Sequence, residues 1–345
     1  MTRRPLLNAQ SVFRLGVGTS LGGLALWLTF RNVDLGLVLA SIERMHVSWV
    51  VAALVIVAAT VTASARRWQL LVYRAERPRD LPQFIAATVV GQMLNVLLPI
   101  RLGEAARAYW ISRTERQPLS RILGTIVVER LPDVVMLGIS VGLLLFSVSL
   151  PAWARSSGRL TLAASAVVIM IAVAIGKWGG SVLRAFEVPL RLFPETVRSF
   201  LLRQARIALA ELRAFSDWRA NARIWLLSVA ILSLAVGTNY LLFWAFDLRL
   251  PLMTALLLFV VLQIGGAPVS TPGNLGIFHY LVVLVLTATG VDRTAAVAYA
   301  IVLHAVALGP KIVAGALILA VVRTPALENG LWNYAVLKVA RGSGG

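Results

Sequence analysis

A chain of 345 residues that is 59% hydrophobic and 14% charged, with a mean hydropathy of +0.81, has too little polar surface to cover a water-soluble globule. Its formal charge of +18 would suit a nucleic-acid partner on a soluble face, but the Arg residues collect between apolar runs, as in the short cytoplasmic loops of a membrane protein. The absence of Cys removes a disulfide framework and any Cys-based metal site, and three scattered His without nucleophile-elbow or metal spacing leave no hydrolase or zinc-enzyme pattern and call for no cofactor.

The apolar runs, in order, are 15–30, 47–65, 81–100, 122–150, 160–176, 224–246, 252–290 and 295–322. A hydrocarbon core of roughly 30 Å needs about 20 apolar residues per crossing. Run 15–30 follows Arg3, Arg4 and Arg14 without an A-x-A-like cleavage site, so it is expected to be a retained first span. With the N-terminus in the cytoplasm, run 47–65 returns the chain to Arg66, Arg67, Arg74, Arg77 and Arg79 on the same side.

A full crossing by 81–100 would then put Arg101, Arg107, Arg113, Arg116 and Arg121 outside, against the charge rule. A re-entrant hairpin resolves the conflict: 81–98 descends, Pro99 to Gly103 turns, and 104–111 returns. Irregular backbone at membrane depth is tolerated where protein buries it or where it lines a watery cavity. The alternative is an ordinary span with a local breach of the rule. Runs 122–150 and 160–176 go out and back, leaving 177–223 as a basic cytoplasmic loop. Its spaced Arg residues suit either a connector in water or a segment lying on an anionic leaflet.

Run 252–290 is too long for one span and too short for two, and Gly265 to Pro268 and Ser270 to Gly276 break it. A second hairpin, entering from the outer face, is expected there. Run 295–322 then brings Arg323, Lys338 and Arg341 to the cytoplasm. The predicted fold is an all-α polytopic membrane protein with about six full spans plus two re-entrant helical hairpins in an inverted repeat. Residues 1–345 form a single integral membrane domain, with 14–150 as first repeat and 160–322 as second. Paired interrupted segments in two inverted halves point to a transport site near the midplane.

The strongest polar grouping is Arg101, Glu104 and Arg107, followed by Glu129, Arg130 and Asp133 within run 122–150. Glu104 and Arg107, and likewise Arg130 and Asp133, are i, i+3 pairs on one helix face, while Glu129 and Asp133 are an i, i+4 pair. A charge in hydrocarbon costs at least about 2.5–3.5 kcal/mol on insertion scales, so two such faces are expected to pair across a cavity. The competing arrangement leaves all of them in a cytoplasmic loop, with the span starting at Val134. The apolar stretch Ile122 to Val128 argues against that, and Pro132 is expected to kink the helix.

In the second half the corresponding elements are Pro272, Gly273, Asn274 and Gly276 in the turn, then Phe278, His279 and Tyr280, and finally His304 and Lys311. The turn lacks the spacing of a nucleotide motif. It offers backbone N–H groups at a helix start, where phosphate or carboxylate binds, or else it only breaks the helix. His304 reads as a packing residue or a proton carrier, and Lys311 beside Pro310 needs water or a partner.

Asn95 to Arg107 (Asn-Val-Leu-Leu-Pro-Ile-Arg-Leu-Gly-Glu-Ala-Ala-Arg), Glu129 to Asp133 (Glu-Arg-Leu-Pro-Asp) and Ser270 to Gly276 (Ser-Thr-Pro-Gly-Asn-Leu-Gly) together resemble the flippase-like transmembrane domain of the lysylphosphatidylglycerol synthase family. The resemblance covers nearly the whole chain. It implies movement of lipids across a bacterial membrane, as for members that move aminoacylated phospholipids and for stand-alone relatives linked to hopanoid and glycolipid pathways. Two departures stand out: Asn274 replaces a family Gly, and Phe278 or His279 stands where the family carries Glu. The chain ends soon after its last span, so an appended aminoacyl-transferase domain, and with it lysyl-phosphatidylglycerol synthesis, is not expected.

The function expected is a flippase or translocator for an anionic phospholipid or a lipid-linked glycan precursor in the bacterial inner membrane, with both termini cytoplasmic. Arg101, Arg107 and Arg130 would attract the headgroup, and Glu104, Glu129 and Asp133 would balance them or carry a proton. The partners implied are membrane lipids, with a lipid- or glycan-modifying enzyme as a further candidate. A scaffold for such an enzyme is the rival reading, and an intramembrane lipid transferase using His304 as base is the third.

Overall fold

The computed structural model describes residues 9–73, 80–98, 102–147, 152–190, 221–265 and 272–321, with isolated positions 195, 198 and 202. Among them are eleven α-helices and no strand. They are α1 (Ala9–Phe30), α2 (Leu35–Glu43), α3 (Val47–Tyr73), α4 (Leu81–Leu97), α5 (Gly103–Thr114) and α6 (Leu119–Ser147). After these come α7 (Ala152–Leu190), α8 (Ala222–Ala245), α9 (Leu252–Gly265), a 3-10 turn at Pro272–Asn274, α10 (Ile277–Ala288) and α11 (Arg293–Val321).

Helices α3, α8 and α11 are each long and apolar enough to cross a bilayer. The first apolar run lies within α1 and ends at a sharp bend, where the chain turns by 79° between Phe30 and Leu35. Asp34 caps α2 there, accepting from the Gly36 amide at 2.7 Å and the Leu37 amide at 3.4 Å. Arg293, opening α11, donates to the carbonyls of Leu28 and Thr29 at the end of α1. Carbonyls that the helix itself leaves unpaired are thereby satisfied across sequence. Helices α4, α9 and α10 are apolar but only 17, 14 and 12 residues long.

Helices α3 and α8 pack along much of their length. The His46 amide donates to the Ala245 carbonyl at 2.8 Å at one end, and Arg67 meets Ser228 at 3.0 Å at the other, so the two run antiparallel. Lipid is as apolar as Leu, so burial of side chains gives little drive here; close packing and shared polar contacts hold helices together. Small residues mark the closest approaches. A Cβ at Gly315 of α11 would stand 2.8 Å from the Met93 side chain of α4. The larger apolar core joins α8, α9, α10 and α11 with α2, α3 and α6 around Leu242, Phe243, Leu258, Leu286 and Tyr299. A second core, around Trp68, Phe84, Ile111 and Ile122, seats the α4–α5 pair against α3 and α6.

Two expectations need correction. The helix opening the second half does not stop near 176: α7 is continuous to Leu190, so 177–190 belongs to a helix and not to a loop. Of the rest of the proposed basic loop, most positions lie outside the described residues, as do Arg323, Lys338 and Arg341. The alternative that leaves Glu129 to Asp133 in a loop also needs correction. Helix α6 starts at Leu119 and continues through Pro132, and Ile122, Ile126 and Val128 are packed inside it.

Candidate functional site

Helices α4 and α5 lie side by side and antiparallel, as three paired levels show. Trp110 Nε1 donates to Gln83 Oε1 at 3.2 Å, Arg107 packs on Gly91, and the Gly103 amide donates to Asn95 Oδ1 at 2.8 Å. The last level requires glycine, because a Cβ at Gly103 would stand 1.8 Å from the Gly91 carbonyl oxygen. Asn95 therefore acts as a clasp near the tip of the pair. The turn itself, with Pro99, Ile100 and Arg101, lies outside the described residues.

Helix α6 crosses this pair and brings Glu129, Arg130 and Asp133 against Glu104 and Arg107. Arg107 Nε donates to Glu104 at 2.7 Å, and its Nη2 reaches Glu129 at 2.7 Å. Arg130 pairs with Glu104 and stands 3.5 Å from Asp133. The two sequence clusters thus interlock.

A third arginine completes the network. Arg67 of α3 donates to Asp133 at 2.7 Å, lies 3.5 Å from Glu129, and bonds Ser228 of α8 at 3.0 Å. The sequence placed Arg67 with the basic residues flanking a span, but it is only 4% exposed. A signal existed. Ala65, Trp68 and Leu71 continue the apolar spacing of α3 past Arg66 and Arg67, so the helix does not end there and one Arg is carried inward. Beneath, the Arg107 guanidinium lies 4.6 Å from the Trp68 ring centre, and Trp68 Nε1 donates to Thr125 at 3.1 Å. The aromatic face adds a cation–π contact in a desolvated place.

These groups line a cavity of about 610 Å3 between α3, α4, α5, α6, α8 and α9. Its inner end holds Arg67, Arg107 and Glu129, all nearly buried, while Glu104, Asp133 and Arg130 at the other end are 32%, 35% and 53% exposed. Two positive charges and one negative lie deep, and the reverse balance lies nearer the opening. The remaining wall includes Thr88, Gln92, Asn95, Phe259, Gln263 and Asn274.

Asn274 is the point where the second half joins. The turn Pro272–Asn274 packs on α4, with Gly273 and Asn274 at φ 65° and 51°. Gly276, at φ 88°, has no alternative residue: a Cβ there would stand 2.0 Å from the Gly22 carbonyl oxygen of α1. His304 Nε2 donates to the Gly273 carbonyl at 2.8 Å, anchoring the turn to α11. The rings of His279 and His304 are 4.6 Å apart, with Phe278 5.0 Å from His304 and Phe30 6.5 Å from His279.

Of the residues singled out from sequence, Asn95, Glu104, Arg107, Glu129, Arg130, Asp133 and Asn274 share the cavity, whereas His279, His304 and Lys311 do not line it. Lys311 is partly buried on α11 and has no ion-pair partner among the described residues. A family model, the lysylphosphatidylglycerol synthase TM region, matches residues 12–315. No curated protein matches the chain.

Proposed function

We propose that this chain, which belongs to the lysylphosphatidylglycerol synthase TM region family, moves a lipid across a bacterial inner membrane by receiving its headgroup in the charged cavity. The chain is a multi-pass helical membrane protein of that family. The finer reading is one membrane domain of six spans and two re-entrant hairpins, α4–α5 and α9–α10, in an inverted repeat with both termini cytoplasmic. Supporting it are the antiparallel packing of α4 on α5, the shortness of α9 and α10, and the meeting of the second turn with α4.

One observation carries the proposal: a cavity of about 610 Å3 sits among apolar helices with two buried arginines at its closed end. Buried intramembrane charges usually face a pathway or each other; here they pair with one another and line a cavity, which supports the reading. The substrate is an anionic phospholipid or a lipid-linked glycan precursor, whose phosphate would exchange with the carboxylates for the arginines. An arginine fork suits that exchange because it holds carboxylate and phosphate in the same geometry.

Reconstitution of the purified protein with fluorescent lipids of several headgroups tests this reading. Protein-dependent transbilayer movement that Glu104→Gln and Arg130→Gln both abolish is expected. Movement no faster than in empty vesicles would refute it. Retention of a co-purifying lipid- or glycan-modifying enzyme by both variants, without any lipid movement by the unaltered protein, would favour a scaffold.

A further inference from the structure

We infer that helices α6 and α7 part to form an apolar slot beside Arg130, in which the acyl chains of a lipid stay in the cytoplasmic leaflet while its headgroup enters the cavity from the side. This rests on the cavity being the headgroup site proposed above, and adds the route by which a lipid reaches it.

The slot begins where the small residues end. Over residues 138–145 of α6 the two helices touch: a Cβ at Gly138 would stand 3.3 Å from Ser165 Cβ, and one at Gly158 of α7 would stand 3.3 Å from a Leu145 methyl. Ser165 is 5% exposed there. In a bilayer, small residues set how closely helices approach, because larger apolar side chains gain nothing over lipid. Moving back from Gly138 by four, then seven, then four residues reaches Val134, Val127 and Leu123, so these share the face that meets α7. None of them is small, and Val127 is 60% exposed although α7 runs on to Leu190. Beyond Ser165, the side chains of Val167, Val168, Met170 and Ile171 of α7 are exposed as well. The helices therefore diverge towards the start of α6.

The gap and the cavity are continuous. Val134 and Arg130 both line the cavity, and Val134 also stands on the α7 face. Arg130, half exposed, marks the junction. An Arg turned to bare hydrocarbon is costly, whereas a phosphate at this junction meets its exposed side and leaves the attached chains lying on Val127 and Leu123.

The gap lies in one leaflet. Trp49 of α3 and Trp244 of α8 pair with ring centres 5.9 Å apart near one end of those helices, as aromatic residues do at a membrane interface. From Trp49 to Arg67 helix α3 rises about 27 Å, close to a hydrocarbon thickness of roughly 30 Å. Arg67 meets Asp133, so the charged network lies towards the opposite boundary. That end carries Arg113, Arg116, Arg121 and Arg223, with Arg121 donating to the Val72 carbonyl at 3.3 Å, and by the charge rule it is the cytoplasmic one.

The test uses the full-length protein in phosphatidylcholine vesicles holding a small fraction of phosphatidylglycerol brominated on its acyl chains. A bimane fluorophore is attached to Leu123→Cys in the slot or to Leu226→Cys as control, the latter exposed on α8 near the level of Ser228 and Arg67 and absent from the cavity wall. The brominated lipid should quench the label at 123 several-fold more than the control, and Arg130→Gln should remove the difference. Equal quenching at the two positions, or a difference that survives Arg130→Gln, overturns the inference. Val127→Trp, which fills the slot, should slow lipid movement at least about tenfold, the factor that about 1.4 kcal/mol on a barrier gives, at an unchanged Tm. Leu226→Trp should leave movement as it is. Movement by Val127→Trp as fast as by the unaltered protein also overturns the inference. The two claims fail separately: preferential quenching at 123 in a protein that moves no lipid sinks the flippase reading and leaves the slot, whereas lipid movement with equal quenching sinks the slot alone.

Discussion

Between residues 91 and 133 the chain is held to itself by charge, whereas between 272 and 304 it is held by glycine backbone and imidazole rings. Both regions interrupt an apolar helix, and both need a glycine where another residue's backbone passes within contact, Gly103 against Gly91 and Gly276 against Gly22. The first region fills the gap with Arg107, Glu104, Glu129, Arg130, Asp133 and, from a distant helix, Arg67. The second fills it with His304 on the Gly273 carbonyl and a ring stack, and gives only Asn274 to the cavity. Under the proposed function, substrate contact falls mainly to the first region, and the second holds a wall in place.

Substitutions sharpen that contrast. Glu129→Gln should have the largest effect, because it leaves Arg67 and Arg107 buried with too little negative charge. Breaking a buried ion pair on one side costs about 3–5 kcal/mol, read as a lowered midpoint of unfolding in detergent, and lipid movement should disappear with it. Gly276→Ala should come next. A Cβ at φ 88° costs about 1–3 kcal/mol in backbone strain before its clash with Gly22 is added, so low yield and a low Tm are expected.

His304→Phe removes one hydrogen bond to a carbonyl and preserves the ring stack. A loss of about 0.5–1.5 kcal/mol is expected, with lipid movement reduced far less than by Glu129→Gln. Equal damage to transport by both changes would break the contrast. Arg130→Gln should alter stability least, within about 1 kcal/mol, because the side chain is half exposed. It should still abolish transport, since Arg130 stands at the cavity opening. A large fall in Tm for Arg130→Gln would mean that the network is a structural clamp.

The charged pairs of α5 and α6 were legible because helical spacing puts Glu104 beside Arg107 and Arg130 beside Asp133, and embedded charges of both signs must meet. The short helices on either side of each interruption were legible from Pro and Gly. Arg67 was not, because an Arg at the end of an apolar run satisfies the charge rule equally well whether it faces water or turns inward, and only the continuing Ala65, Trp68 and Leu71 spacing separates the two. Thr88 and Gln92 of the cavity wall gave no signal either. A single polar side chain in an apolar helix commonly bonds its own backbone or a neighbour, and its place on a cavity wall is visible only in three dimensions. The bend after Phe30 and the short helix beyond it fall between runs 15–30 and 47–65, where apolar spacing alone marks no element, although Asp34 is a residue that caps helices.

The chain contains no cysteine, so single substitutions can be labelled without a cleared background. Ile231→Cys and Gln263→Cys both line the cavity, and Val55→Cys on an outward face serves as control. With the protein in sealed vesicles, a membrane-impermeant maleimide should label both cavity positions and not the control, and phosphatidylglycerol should slow labelling of both. Labelling of neither cavity position, or labelling that the lipid leaves unchanged, would contradict the claim that this cavity admits water and a headgroup.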